Sequence, residues 1–112
     1  MDNTLYRDNS KQIVYFGGKI TNGVKAGTWQ WFYESGGKMR EIEYSNGLFN
    51  GDYVAYYPDG KRSLQIQYVN GVKNGLMQRW HKNGIKSFEG SFIEGIASGP
   101  TLFWSEDGTL LN

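Results

Sequence analysis

The chain has 112 residues, a formal net charge of +1, one histidine and no cysteine. That length suits one small domain, and the composition excludes disulfides and thiolate chemistry. The 12 basic and 11 acidic side chains leave no electrostatic footprint for nucleic acid and weigh against a membrane surface.

Glycine for turns and aromatics for strands predict an all-β chain, since 16 Gly, 8 Tyr, 6 Phe and 4 Trp stand against 2 Pro. The first residues, MDNTLYRDNSK, lack the positive start and apolar run of a secretory signal, and no run is long enough for a membrane span. A cytoplasmic location is therefore expected. Residues 1–12 read as a terminal cap.

A half-repeat follows over 13–26, with the alternating segment FGGKI and the turn NGVKAG. Full repeats are expected at 27–50, 51–74 and 75–98, and a terminal partial repeat at 99–112. The period is 24 residues, marked by Gly23, Gly47, Gly71 and Gly95. A second set, Gly36, Gly60, Gly84 and Gly108, falls between them at the same period. Asp-Gly and Asn-Gly in this second set predict tight type I′ hairpin turns, and the NGxxxG strings predict wider reversals. Each repeat is then a strand, a turn, a second strand and a reversal. The second strands, REIEY, LQIQY and FEGSF, alternate with period two. The count is roughly nine strands and no helix, in one elongated, twisted antiparallel sheet.

Comparison between repeats sorts the columns. Phe32, Tyr56, Trp80 and Trp104 stay aromatic in every copy, so they are expected to be structural. So are Ile42 and Ile66, and Tyr44, Tyr68 and Phe92. Columns that change chemistry are candidates for contact with a partner. Trp29, Trp31 and Tyr33 share a face by strand parity. With Tyr53, Tyr57, Arg79 and His81 they form an expected patch of the residue types found at interface hot spots. Coverage of that patch by the segment 1–12 is the alternative.

The pattern Gly-x-Trp/Tyr-x-x-Phe/Tyr-Tyr-x-x-Gly, then alternation to Tyr/Phe-x-Asn-Gly-x-x-x-Gly, resembles the bacterial variant of the MORN repeat. Gly27–Gly51 and Gly51–Gly75 are the best copies, and Gly75–Gly99 is a third. The resemblance implies consecutive hairpins and a non-enzymatic role. It is similar to the YwqK-type family, which implies an antitoxin or immunity protein that neutralises a partner toxin. Scaffold, dimerisation and phospholipid-binding roles are the alternatives that other MORN proteins imply. Aromatic hairpins that hold choline or a glycan by cation–π attraction are a further alternative.

No catalytic constellation is visible. His81 has no second histidine or thiol for a metal site, and it sits in a column with Tyr33, Tyr57 and Ser105. Glu41 and Glu43 share a strand face, but Gln65 and Gln67 fill the same columns one repeat later, so they read as a solvated face. The sequence predicts no enzyme, no cofactor and no metal. It predicts a protein partner or self-association.

Overall fold

The computed structural model describes residues 4–8 and 14–112, with side chains from Phe16 onward. Its strands are β1 (Thr4–Asp8), β2 (Val14–Thr21), β3 (Val24–Tyr33), β4 (Lys38–Ser45), β5 (Leu48–Tyr56), β6 (Arg62–Val69), β7 (Val72–Trp80), β8 (Lys86–Ile93) and β9 (Ile96–Phe103). All nine lie in one open antiparallel sheet in the order of the sequence. The described residues contain no helix. The principal extents are 46 × 33 × 20 Å. Of the expected cap, residues 1–3 and 9–12 lie outside the described residues. Residues 4–8 instead add a strand to the edge of β2, pairing Tyr6 with Phe16.

The turns exchange the roles expected for them. The two-residue type I′ turns are the Asn-Gly pairs of the NGxxxG strings. Asn22, Asn46 and Asn70 have φ of 49–53° and the following glycines 80–85°, so both central residues are left-handed. The Gly36, Gly60 and Gly84 turns are three-residue loops. In the first, Gly36 N–H donates to Tyr33 O at 2.8 Å and Tyr33 N–H to Gly37 O at 2.7 Å. Aspartate or asparagine recurs there for a different reason from the one expected. Asp59 and Asn83 accept the backbone N–H of Lys61 and Ile85 two residues on, closing Asx turns. The second glycine of each NGxxxG string is no part of the reversal. It opens a bulge inside β3, β5, β7 or β9.

The bulges carry their own caps. Glu43 Oε1 accepts the bulged N–H of Asp52 at 2.8 Å, and Gln67 Oε1 accepts that of Leu76 at 2.9 Å. In the next repeat the acceptor position is Ser91 and the donor position is Pro100, which has no N–H. Acceptor and donor are lost together, so no polar group is stranded.

Alternation along the strands gives the sheet two unlike faces. On the first, the cross-strand row Trp29, Ile42, Tyr53, Ile66, Met77 and Gly90 runs along the stack. Four of its members are 2–6 % exposed, and Trp29 is the most buried large side chain. A single sheet has no second layer to cover this row. Its neighbours on the same face fold over it instead. Phe49 packs between Tyr44, Tyr53 and Tyr68 with ring centroids 5.0–5.5 Å apart. Trp29, expected at a contact surface, is therefore core. Its indole lies across Gly18 and donates to Lys19 O at 2.9 Å.

The expected core is otherwise split between the faces. Ile42 and Ile66 are in the buried row, and Tyr44, Tyr68 and Phe92 flank it half-buried. Phe32, Tyr56, Trp80 and Trp104 are half-buried on the second face.

A Cβ at Gly18 would stand 2.5 Å from the Trp29 ring, whereas one at Gly36 would meet nothing. Gly18→Ala is expected to lower stability by about 2–3 kcal/mol through overpacking, and Gly36→Ala by about 1 kcal/mol through its left-handed φ alone. Urea unfolding of the two variants checks the order, which equal losses would contradict.

Candidate functional site

The first face carries cations, aromatics and aliphatics. Beside the buried row runs a second one: Phe16, Trp31, Arg40, Ala55, Leu64, Arg79, Phe88 and Phe103 are successive cross-strand neighbours from β2 to β9. The Arg40 guanidinium lies 4.7 Å from the centre of the Trp31 ring, and its Nη1 is 3.5 Å from the Tyr53 hydroxyl. On the other flank, Lys25 Nζ is 5.0 Å from Trp29, and Lys73 Nζ is 5.0 Å from Phe92. These side chains lay apolar stems over the core and hold their charge outward.

None of Lys25, Arg40, Lys73 and Arg79 has a carboxylate partner among the described residues. Every strand carboxylate whose side chain is described (Glu41, Glu43, Asp52 and Glu89) projects from the second face. A formal net charge of +1 thus conceals a first face on which the described strand side chains include cations and no carboxylate.

The second face is a different ladder. Lys38 sits 5.7 Å from the Tyr56 ring, Arg62 4.4 Å from Trp80, and Lys86 5.6 Å from Trp104. Three aromatics of the constant column, Tyr56, Trp80 and Trp104, are each covered by a cation from the strand that follows the previous repeat's turn. A bulge between positions 38 and 40, repeated at 62–64 and 86–88, rotates the cation onto this face. There Lys38 and Lys86 also pair with Glu41 and Glu89 at 3.2 and 2.7 Å. These pairs are about one-third exposed and contribute at most about 1 kcal/mol each. The Lys86 ammonium and the Gln78 amide hold the Glu89 carboxyl below its usual range.

The structure separates the expected patch. Tyr33, Tyr57 and His81 change chemistry but share one task. Tyr33 Oη donates to Tyr56 O at 2.9 Å, Tyr57 Oη donates to Trp80 O, and His81 Nε2 donates to Trp104 O at 2.8 Å. Each ties its repeat to the next. Tyr53 is half-buried in the core row, between Ile42 and Ile66. Trp31 and Arg79 remain as the outward members, four cross-strand steps apart. Arg79 is exposed and makes no hydrogen bond or ion pair among the described residues. With His81 it borders a hollow of about 450 Å³ whose apolar lining includes Met77, Phe88, Phe103 and Leu111.

The sequence reading missed Arg40 and Phe88 at this surface; Phe103 falls in the same variable column as Trp31, Ala55 and Arg79. The basic column Lys38, Arg62 and Lys86, at the 24-residue period, was the unused signal for the second-face ladder.

The described residues hold no cluster of three or more His, Cys, Asp or Glu able to bind a metal. They contain no helix long and apolar enough to cross a membrane. The MORN repeat variant matches residues 25–46 and 49–70. These two stretches, 44 of the 112 residues, are similar to MORN repeats. No curated protein matches the chain.

Hydrogen bonds from Ser105 and Thr109 pull the Asp107 carboxyl down to about 2 from an ordinary 3.8. Its contribution to the last turn is complete above 3.8 and disappears as pH falls through about 2. A carboxyl resonance of Asp107 titrating near 3.8 would contradict this. Burial raises the Tyr44 and Tyr68 hydroxyls above 10.0, so their contribution is complete below that pH and is lost as pH rises further. Alkaline unfolding of the wild type should therefore begin above pH 10 and coincide with the appearance of phenolate absorbance.

Proposed function

We propose that this chain is a non-catalytic, protein-binding repeat module that grips an acidic segment of its partner on the first face. The observation that carries this reading is the segregation of charge. Aromatic and cationic side chains share that face, and the strand carboxylates with described side chains lie on the other. Opposed potentials steer association and reject wrong partners. Arg79, unpaired beside an apolar hollow, suits a carboxylate next to an apolar side chain. Trp and Arg are also the residue types that dominate interface energetics.

The finer reading is an antitoxin or immunity protein, acting in the cytoplasm, whose partner is a toxin. The resemblance to the YwqK-type family supports it. A phospholipid surface is the second reading, because the same four cations would also meet acidic headgroups. In neither reading does the chain act as an enzyme or take a cofactor, and nucleic acid is not its target.

The test is complex formation in native host extract, followed by light scattering and identification of the captured protein. A discrete complex is expected with the wild type. Arg79→Glu should weaken it about thirtyfold, on the order of 2 kcal/mol, with no change in folding stability. Trp31→Ser should weaken it too. If the captured protein is a toxin, its expression alone should arrest growth and co-expression should restore it. Undiminished capture by Arg79→Glu would contradict the face assignment. Binding only to vesicles containing phosphatidylserine would favour the lipid surface.

A further inference from the structure

The rim of the sheet at the Asn-Gly turns carries a second, chemically opposite surface. The residues flanking each turn project from the second face. In the first two repeats they are Thr21 with Val24 and Ser45 with Leu48, and in the last two they are Val69 with Val72 and Ile93 with Ile96. The hydroxyl of each early pair is thus replaced by an aliphatic group. Val69 and Val72 are 48 % and 43 % exposed, and Ile93 and Ile96 are 61 % and 72 % exposed. Val69, Val72 and Ile93 line a hollow of about 440 Å³ with Asn74 and Glu94.

Glu94 is the anomaly. It occupies the left-handed position, φ 50°, that asparagine fills in the other three turns. Asparagine tolerates this conformation far better than glutamate. Nothing within the fold requires the exchange. Glu94 N–H donates to Asn74 Oδ1 at 3.0 Å, as Asn70 N–H donates to Asn50 Oδ1 at 3.0 Å one repeat earlier. Gly95 N–H meets Lys73 O as Gly71 N–H meets Phe49 O. The Glu94 carboxylate has no partner among the described residues. A strained residue with no structural return, placed where aliphatic exposure is greatest, is a mark of a functional site.

We propose that the hollow between the third and fourth turns, lined by Val69, Val72, Asn74, Ile93 and Glu94 with the exposed Ile96 paired to Ile93 at its turn, is a docking site for a protein segment bearing a lysine or arginine flanked by aliphatic side chains. Charge complementarity selects this occupant. Among the described residues, the only charged group lining the hollow is Glu94. An acidic membrane would be repelled by it, and an isologous pairing with a second copy would oppose two Glu94 carboxylates. The site is independent of the first-face reading, because it lies on the opposite face and uses none of the same residues.

The probe is the tripeptide N-acetyl-Leu-Lys-Leu-amide, with N-acetyl-Leu-Glu-Leu-amide as its counterpart, titrated against the 15N-labelled full chain. The lysine peptide should give saturable shifts at the amides of Val69, Val72, Asn74, Ile93 and Ile96. Glu94→Gln should weaken that binding about threefold, and Glu94→Lys about tenfold. Arg79→Glu should leave it unchanged, so its failure and that of the first-face reading are separable. Glu94→Asn should raise the melting temperature by about 4 °C while weakening the peptide. Any one of four results would overturn the proposal: equal response to the glutamate peptide, shifts spread over the first face, affinity unaffected by Glu94→Gln, or a lower melting temperature for Glu94→Asn. Self-association through these residues, or their insertion into phosphatidylserine vesicles, would overturn it as well.

Discussion

A sheet of one layer must cover its own core. Everything in this molecule follows from that constraint. A two-stranded hairpin is marginal alone and has no second sheet or helix to pack against. The row from Trp29 to Met77 is buried because rings and cationic stems beside it, on the same face, close over it. The repeats are then stitched at both ends. Side-chain donors at 33, 57 and 81 reach the main chain of the next repeat, and turn glycines at 47, 71 and 95 reach that of the previous one. Stability is therefore shared between neighbours along one dimension.

The same constraint prepares the surface for recognition. On the first face Lys25, Arg40 and Lys73 cover aromatic rings with no carboxylate partner among the described residues, and they hold their charge in water. The strand carboxylates with described side chains are on the other face, where Glu43 caps a bulge and Glu41 and Glu89 meet Lys38 and Lys86 near water. What protects the core also leaves a cationic aromatic face. At the free edge of β9, Pro100 supplies no N–H, and the Asn112 amide occupies Phe103 N–H and Thr101 O. Those positions are closed to further strand pairing.

Much of the fold was legible in the residues. The 24-residue period and the alternation in REIEY and LQIQY give the strands, their order and their count, because each device is local. The turn types were exchanged because glycine marks any left-handed residue, and only the register tells a two-residue turn from a three-residue loop. Trp29 was misplaced because parity assigns a face without its burial, and the space made by Gly18 comes from a neighbouring strand. Tyr33, Tyr57 and His81 were read as variable because residue type was compared and donor capacity was not. The segregation of charge was hidden in the near-zero sum, since the bulges at 38–40, 62–64 and 86–88 move each cation to a face that simple alternation does not predict.

Native-state hydrogen exchange of the backbone amides is the most direct test of a core covered by neighbouring repeats. Protection should be greatest in β4 to β7, where each strand has covering neighbours on both sides, and should fall stepwise toward β2 and β9. Amides on the two sides of one hairpin should open together. Equal protection in all strands, lost in one global step, would contradict the account, because it would mean that coverage does not depend on the adjacent repeat.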